Sequence, residues 1–405
     1  MLNICADRYR FTVGFAASLI TGKVSLLPST NTAEAMRQLV AFAPDVFCLT
    51  DDAHCDVDLP RMLFPQGPPA KELPWRCPEI DTTQLAAYLF TSGSTGTPLP
   101  YKKTWGRLTA CVREGANRLG LTDGRQHAIV GTVPSQHMYG LELTVLLTLQ
   151  TGNACAAERP FYPADICNAL AAVPRPRTLV STPVHLRMLL AADVDLPAAD
   201  LVVSATAPLS QNLAREVEER FDTRLLEIYG STETGQIACR RTAHAVEWRL
   251  WDGVRLRERD GRTWADGGHI EQATAMCDVI EITGDDRFLL QGRMADLVNI
   301  AGKRSSLAYL NHQLNAVAGV IDGAFFLRDE SQDPSAGVTR VAAVVVAPGL
   351  DAATLLERLR ERIDPAFLPR PLLFVDKLPR NETGKLPQEA LQSLVVRSMQ
   401  RTGPR

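Results

Sequence analysis

Two hydrophobic periods divide the chain. Between Leu85 and Gly235, short apolar runs alternate with stretches whose apolar residues recur at helical spacing. The runs at 85–90, 127–133, 178–181, 201–204 and 225–228 predict buried strands. The stretches at 139–150, 163–173, 183–192 and 210–221 predict helices. Pro163 and Pro183 suit helix starts, where a missing N–H costs little. Strands alternating with helices imply a largely parallel sheet with helices packed on it. Such sheets bind ligands at the carboxyl ends of their strands. Segments following strands, at Thr91 and at Tyr229, are therefore expected to meet at one edge.

After Arg240 the period shortens. Residues 245–251 and 254–259 flank Asp252-Gly253, a hairpin signal. Asp260-Gly261 marks another turn, and Thr283-Gly284-Asp285-Asp286 joins strands at 279–282 and 287–291. From about Met294 a smaller α+β unit is expected, with helices at 307–317 and 351–363, strands at 324–327, 341–346 and 372–375, and a last helix from Pro387. Asp351 is a good N-cap. The fold class is thus α/β: a large layered N-terminal domain (1–293) with an antiparallel β subdomain, and a small C-terminal α+β lid (294–405). The apolar stretch 11–20 reads as an amphipathic helix, because Asp7 beside Arg8 and Arg10 spoils a signal peptide and no A-x-A site follows.

Composition narrows the function only modestly. The chain has 405 residues and a net charge of -3, which argues against a nucleic-acid binder. From Arg293 onward it carries 15 Lys+Arg and 12 Asp+Glu, so this end is slightly basic and suits a phosphate-rich partner. Nine scattered cysteines without a C-x-x-C pair fit a reducing compartment, the cytoplasm, better than a zinc site or a disulfide framework. No apolar run is long enough for a membrane span.

The chemistry concentrates in four ordered segments. Thr91-Ser92-Gly93-Ser94-Thr95-Gly96-Thr97-Pro98 follows a predicted strand. Its glycines allow close backbone approach, and its hydroxyls and N–H groups can donate to phosphate oxygens. It is not a P-loop, since G-x-x-x-x-G-K-[ST] is absent. In Tyr229-Gly230-Ser231-Thr232-Glu233-Thr234-Gly235 an aromatic ring can stack on a purine, Thr232 can donate to a phosphate and Glu233 can hold Mg²⁺. Gly292-Arg293 ends the last hairpin, and Gly302-Lys303-Arg304 follows. Leu378-Pro379-Arg380-Asn381-Glu382-Thr383-Gly384-Lys385-Leu386 places one lysine in a glycine-flanked loop.

Together and in this order, the segments resemble the adenylate-forming superfamily of acyl-CoA synthetases, aryl-CoA ligases, non-ribosomal adenylation domains and luciferases. The resemblance implies Mg-ATP activation of a small carboxylic acid to an acyl-adenylate, then transfer to a thiol of CoA or an acyl carrier protein. It implies that the loop from Thr91 to Gly96 holds the β- and γ-phosphates. Tyr229 would face adenine, with Ala205, Thr206 and Ala207 on the other side. Thr232 would contact the α-phosphate and Glu233 would carry Mg²⁺. Asp278, fifteen residues before Arg293, fits the ribose carboxylate better than Asp285, which lies in the hairpin turn itself. Arg293 would be the second ribose contact. Lys385 would bridge carboxylate and α-phosphate, offsetting their repulsion. His137, in Pro134-Ser135-Gln136-His137-Met138-Tyr139-Gly140, would lie beside the carboxylate, with Thr182, Ser204 and Gly230 lining the acyl pocket. Gly302, Lys303 and Arg304 would contact the thiol acceptor.

The chain departs from that pattern in places. Leu99 stands where many relatives have a lysine, with Lys102 and Lys103 close behind as candidate substitutes; Ala295 occupies the hinge register; Tyr309 and Asn311 stand where many relatives have glutamates. The compact length resembles stand-alone members that load a hydroxybenzoate-like starter onto a carrier protein, as in bacterial aryl polyene or xanthomonadin pigments. An aryl or short acyl acid is the expected substrate. A non-catalytic docking relative and an adenylate-forming oxygenase are the rival readings.

Overall fold

The structure, a computed structural model, describes residues 1–67, 77–91, 99–293, 297–300, 303–327, 341–381 and 386–401. The alternating region builds half of a nine-stranded sheet. Ala154–Cys155, Ala128–Gly131, Arg177–Ser181, Leu201–Ser204 and Leu225–Ser231 lie side by side and parallel. Ala128–Gly131 and Leu201–Ser204 are buried at every position. A strand covered on both faces has no polar side, so it reads as a continuous apolar run. Beyond Leu225–Ser231 the sheet turns antiparallel through Gly235–Arg240, Trp248–Leu250, Arg287–Arg293 and Asp278–Gly284.

A second, six-stranded sheet contains Leu85–Thr91, which pairs antiparallel with Leu99–Thr104 at its edge. The helix Trp105–Leu119 leaves that edge and packs Leu108, Val112, Ala116 and Leu119 into the main core. It ends at Gly120 (φ 73°), a left-handed cap that glycine adopts without strain.

Four expectations are corrected. The run at 85–90 joins a different sheet from the other four runs, so Thr91 and Tyr229 follow strands of two sheets and not of one edge; a buried apolar run carries no mark of the sheet it will enter. Asp252-Gly253 is a turn but closes no hairpin. Trp248–Leu250 pairs with Gly235–Arg240 and Arg287–Arg293, whereas Val254–Arg259 pairs with Arg262–Gly267 in a separate three-stranded sheet. A local turn signal cannot say which strands will pair across it. The helix expected over 139–150 starts at Met138–Gly140 and runs as a π-helix over Leu141–Leu146 before Leu147–Thr151. Thr144, which donates to the Gly140 carbonyl at 2.5 Å, sits in that π segment; such segments concentrate at functional sites. The N-terminal helix forms as Arg8–Ile20, but it is not cleanly amphipathic: Phe11, Phe15 and Leu19 are buried while Tyr9, Val13 and Ile20 face solvent.

The C-terminal region has its own core around Leu310, Leu314, Phe325, Val345, Leu355 and Leu359. Helices Leu307–Asn315, Ala352–Arg360 and Gln388–Arg401 accompany the three-stranded sheet of Asp322–Leu327, Val341–Val346 and Leu372–Phe374. Asp351 caps the second helix, accepting from Thr354 N at 2.8 Å. Tyr309 and Asn311 have structural work here: the Tyr309 hydroxyl donates to the Arg362 carbonyl, and Asn311 accepts from Phe325 N. No helix among the described residues is long and apolar enough to cross a membrane.

Candidate active site

The carboxyl ends of the parallel strands collect most of the expected residues. Leu225–Ser231 turns into Gly235–Arg240 through a tight tip carrying Thr232 and Glu233. Ser231 and Thr234 lock the tip by exchanging N–H···Oγ bonds, both 3.3 Å. Gly230 is dictated by this hairpin. A Cβ there would meet the Gly235 carbonyl oxygen at 2.2 Å and Gln236 Cα at 2.8 Å, so the two backbones could not close.

Tyr229 packs beside Trp248 and Phe288, each ring centre 5.5 Å away, and is 9% exposed. Its hydroxyl donates to Asp278 Oδ2 at 2.5 Å. Asp278 is in turn the register partner of Arg293. Asp285 lies at the other end of the same hairpin, roughly 20 Å along the strand at about 3.3 Å per residue. The neighbouring strand Leu201–Ser204 delivers Ala205, Thr206 and Ala207 to the same edge, since Ser204 pairs with Glu227. Thr206 has φ 79°, a left-handed conformation that a β-branched residue adopts only under strain. The Ser204 hydroxyl is buried and has no partner among the described residues, a donor and acceptor left over at this edge.

Other expected residues have structural roles. Thr182 is fully buried. Its hydroxyl lies 2.9 Å from His185 Nδ1 and accepts from His185 N, capping the helix Pro183–Ala191. The Tyr139 hydroxyl donates to Ser181 O and Val203 O at 3.1 and 3.0 Å, tying two parallel strands together. His137 opens the next helix without a side-chain capping bond; its Nε2 is 3.3 Å from Ser29 O. The residues Ser92, Gly93, Ser94, Thr95, Gly96, Ala295, Gly302 and Lys385 lie outside the described residues, as do the side chains of Arg293, Lys303 and Arg304. Arg380, ahead of Lys385, makes a bidentate pair with Asp322 at 2.7 and 2.8 Å, which anchors the base of that loop to its domain.

Sequence reasoning missed several residues. Thr91 and Leu99 are register partners, so the phosphate-loop candidate leaves and returns at one point of the sheet. Alternation along Leu99–Thr104 puts Leu99, Tyr101 and Lys103 on one face and exposes Lys102 on the other. The Tyr101 phenol lies beside Thr91 and the Glu233 side chain, and burial followed by the Glu233 charge pushes its pKa up. Lys103 is 4% exposed, and its Nζ donates to the Glu233 carbonyl at 2.9 Å. Beneath it, Glu142 accepts from Cys111 Sγ at 3.0 Å; burial raises the pKa of both and lowers that of Lys103. Arg8 is 2% exposed and donates to Thr144 Oγ1, Gly131 O and Val133 O at 2.5, 2.9 and 3.3 Å. It thus braces the segment that leads to His137. Strand alternation was the available signal for Tyr101 and Lys103. Arg8 carried none, because its partners lie more than 120 residues away.

An open α/β edge with a hydroxyl-rich turn, a carboxylate at its tip and a second carboxylate on the neighbouring hairpin offers the donors and acceptors that a nucleotide-binding protein needs. Among the described residues no three His, Cys, Asp or Glu side chains converge into a metal cage. Mg²⁺ held by one or two carboxylates plus substrate phosphates needs no such cage, so Glu233 fits that mode.

The model of the AMP-binding enzyme family matches residues 13–263, and the chain belongs to that family of ATP-dependent, acyl-adenylate-forming ligases. It is 31% identical to a 4-coumarate–CoA ligase of Rhodobacter capsulatus over 299 residues, covering 73% of either chain. An indoleacetate–CoA ligase of Aromatoleum aromaticum is 25% identical over 362 residues, covering 80% of this chain and 69% of that one. The fold resembles that of ATP-bound MatB from Rhodopseudomonas palustris, with a TM-score of 0.81 at 21% identity over 97% of this chain and 88% of that one.

Proposed function

We propose that the protein activates an aryl or short-chain carboxylic acid with Mg-ATP and passes the acyl group to a phosphopantetheine thiol of a carrier protein or CoA. The observation that carries this reading is the convergence of Asp278, bound by the Tyr229 hydroxyl, and Glu233, whose carbonyl is bound by Lys103 of the strand that follows the phosphate loop. It brings the proposed metal and ribose positions, on the nine-stranded sheet, beside the strand that closes the proposed phosphate loop, on the six-stranded one. Acid attacks the α-phosphorus and pyrophosphate leaves; the thiol then displaces AMP. In this reading Glu233 holds Mg²⁺, which neutralises phosphate charge. Thr232 donates to the α-phosphate, and Lys385 arrives from the C-terminal lid (294–405) to offset carboxylate–phosphate repulsion. A compact ammonium on a flexible stem suits a group that must enter for one half-reaction and leave for the next. The aryl preference is supported by relatives named for coumarate and indoleacetate. The phosphopantetheine arm is common to CoA and carrier proteins, so either can serve.

The test is ATP–pyrophosphate exchange over benzoates, cinnamates and short fatty acids. Exchange that depends on the acid is expected, and Lys385→Ala should abolish it. Full exchange in that variant would remove Lys385 from the mechanism, and ATP binding without exchange across the panel would favour a non-catalytic docking relative.

A further inference from the structure

The strand Leu99–Thr104 does more than close the phosphate loop. A lysine is almost never fully buried unless paired, and an unpaired buried charge costs several kcal/mol. Yet Lys103 is 4% exposed. The charged and titratable groups around it come from four elements. Cys111 lies on Trp105–Leu119, Glu142 on Leu141–Leu146, His269 and Glu271 follow Arg262–Gly267, and Glu233 sits on the hairpin tip. Glu271 is occupied by Thr104, accepting from its N and Oγ1 at 2.6 Å each. Glu142 accepts from Cys111. Among the described residues, the one hydrogen bond that the Lys103 ammonium donates goes to the Glu233 main chain, at 2.9 Å.

We infer that Lys103 and Tyr101 form a two-point clamp on Glu233, with the ammonium on its carbonyl and the phenol on its carboxylate, that fixes the metal-binding tip against the strand of the phosphate loop. The inference rests on the function proposed above and names positioning residues for it. Both clamp residues lie on one strand face, two positions apart, so one rigid element sets both ends of Glu233. Tyr101 also lies beside Thr91, where the loop begins. Lys103 is therefore no replacement for the lysine absent at Leu99. It lies four residues, about 13 Å, further along the strand and grips protein, not phosphate. Lys102 faces the opposite side.

The experiment is calorimetric titration of ATP into the intact protein at graded Mg²⁺ concentrations, with melting temperature recorded for each variant. Lys103→Met and Tyr101→Phe should each raise the Mg²⁺ needed for half-maximal ATP affinity by about tenfold, the range seen when groups orienting a metal ligand are removed. Lys103→Arg should restore part of the loss. In a Glu233→Gln background, Lys103→Met should add little, because it acts through the same residue. Tyr101→Phe deletes one hydroxyl and keeps the test open if Lys103→Met fails to fold. Unchanged Mg²⁺ dependence in folded variants, or full additivity with Glu233→Gln, would overturn the clamp. Absence of acid-dependent exchange in the unmodified protein would fall on the proposed function instead, since the calorimetry needs no turnover.

Discussion

Asp278 and Asp285 show what one residue's position decides. Both sit in or beside the same hairpin, and a Thr-Gly-Asp triplet draws attention to Asp285. Only Asp278 meets Tyr229 and pairs in register with Arg293. Asp278→Asn is expected to weaken ATP binding at least tenfold, the order of one charge-assisted hydrogen bond of 1.5–3 kcal/mol, roughly. Asp285→Asn should stay within about twofold, as surface substitutions do. Titration calorimetry with ATP distinguishes them, and equal effects would remove Asp278 from the nucleotide site. Tyr229 also teaches restraint. Beyond the role proposed for its face, its ring fills a core with Trp248 and Phe288, as aromatic residues commonly do.

At the scale of elements, the helix Arg8–Ile20 is fastened by a buried guanidinium and not by apolar burial alone. Arg8 supplies donors to two strand-end carbonyls and to Thr144 in the π segment. Burial pulls its pKa down, and among the described residues its hydrogen-bond partners are hydroxyls and carbonyls, not carboxylates. Arg8→Met would leave those buried acceptors without a partner, each worth about 1–3 kcal/mol. A loss of about 3 kcal/mol in urea unfolding is expected for the set. A change below about 0.5 kcal/mol would mean that water or rearrangement serves the acceptors equally well. The corrected turn at Asp252-Gly253 belongs to this scale as well. The turn residues were legible, but the partner strands were not, because pairing is set by long-range packing.

At the scale of the whole molecule, the polar chamber under Glu233 is where three sheets meet. Lys103 comes from the six-stranded sheet, Gln236 from the nine-stranded one, and His269 from the end of the three-stranded one. Burial first, and the Lys103 charge second, lower the His269 pKa from 6.5 to about 4. A lowered folded-state pKa means that the unfolded chain takes up the proton first. His269 thus leaves stability intact above pH 6.5 and removes it progressively as pH falls toward 4. By pH 5 the linkage amounts to roughly 2 kcal/mol. Urea unfolding at pH 7 and pH 5 should show the unmodified protein losing about that much more than His269→Asn. Equal losses would mean that His269 is protonated as easily folded as unfolded.

The sequence by itself determined the alternation of buried strands and helices, the antiparallel continuation, the separate C-terminal unit and the order of the motif segments. These follow from local periodicity and turn chemistry, which act over a few residues. Tertiary structure alone decided that Asp278 meets Tyr229, that Gly230 answers to the backbone of Gly235, that Thr182 serves as a helix cap, and that Lys103 turns inward to hold Glu233. Each of these depends on which distant strand lies alongside, and strand pairing is fixed by the packing of the whole core.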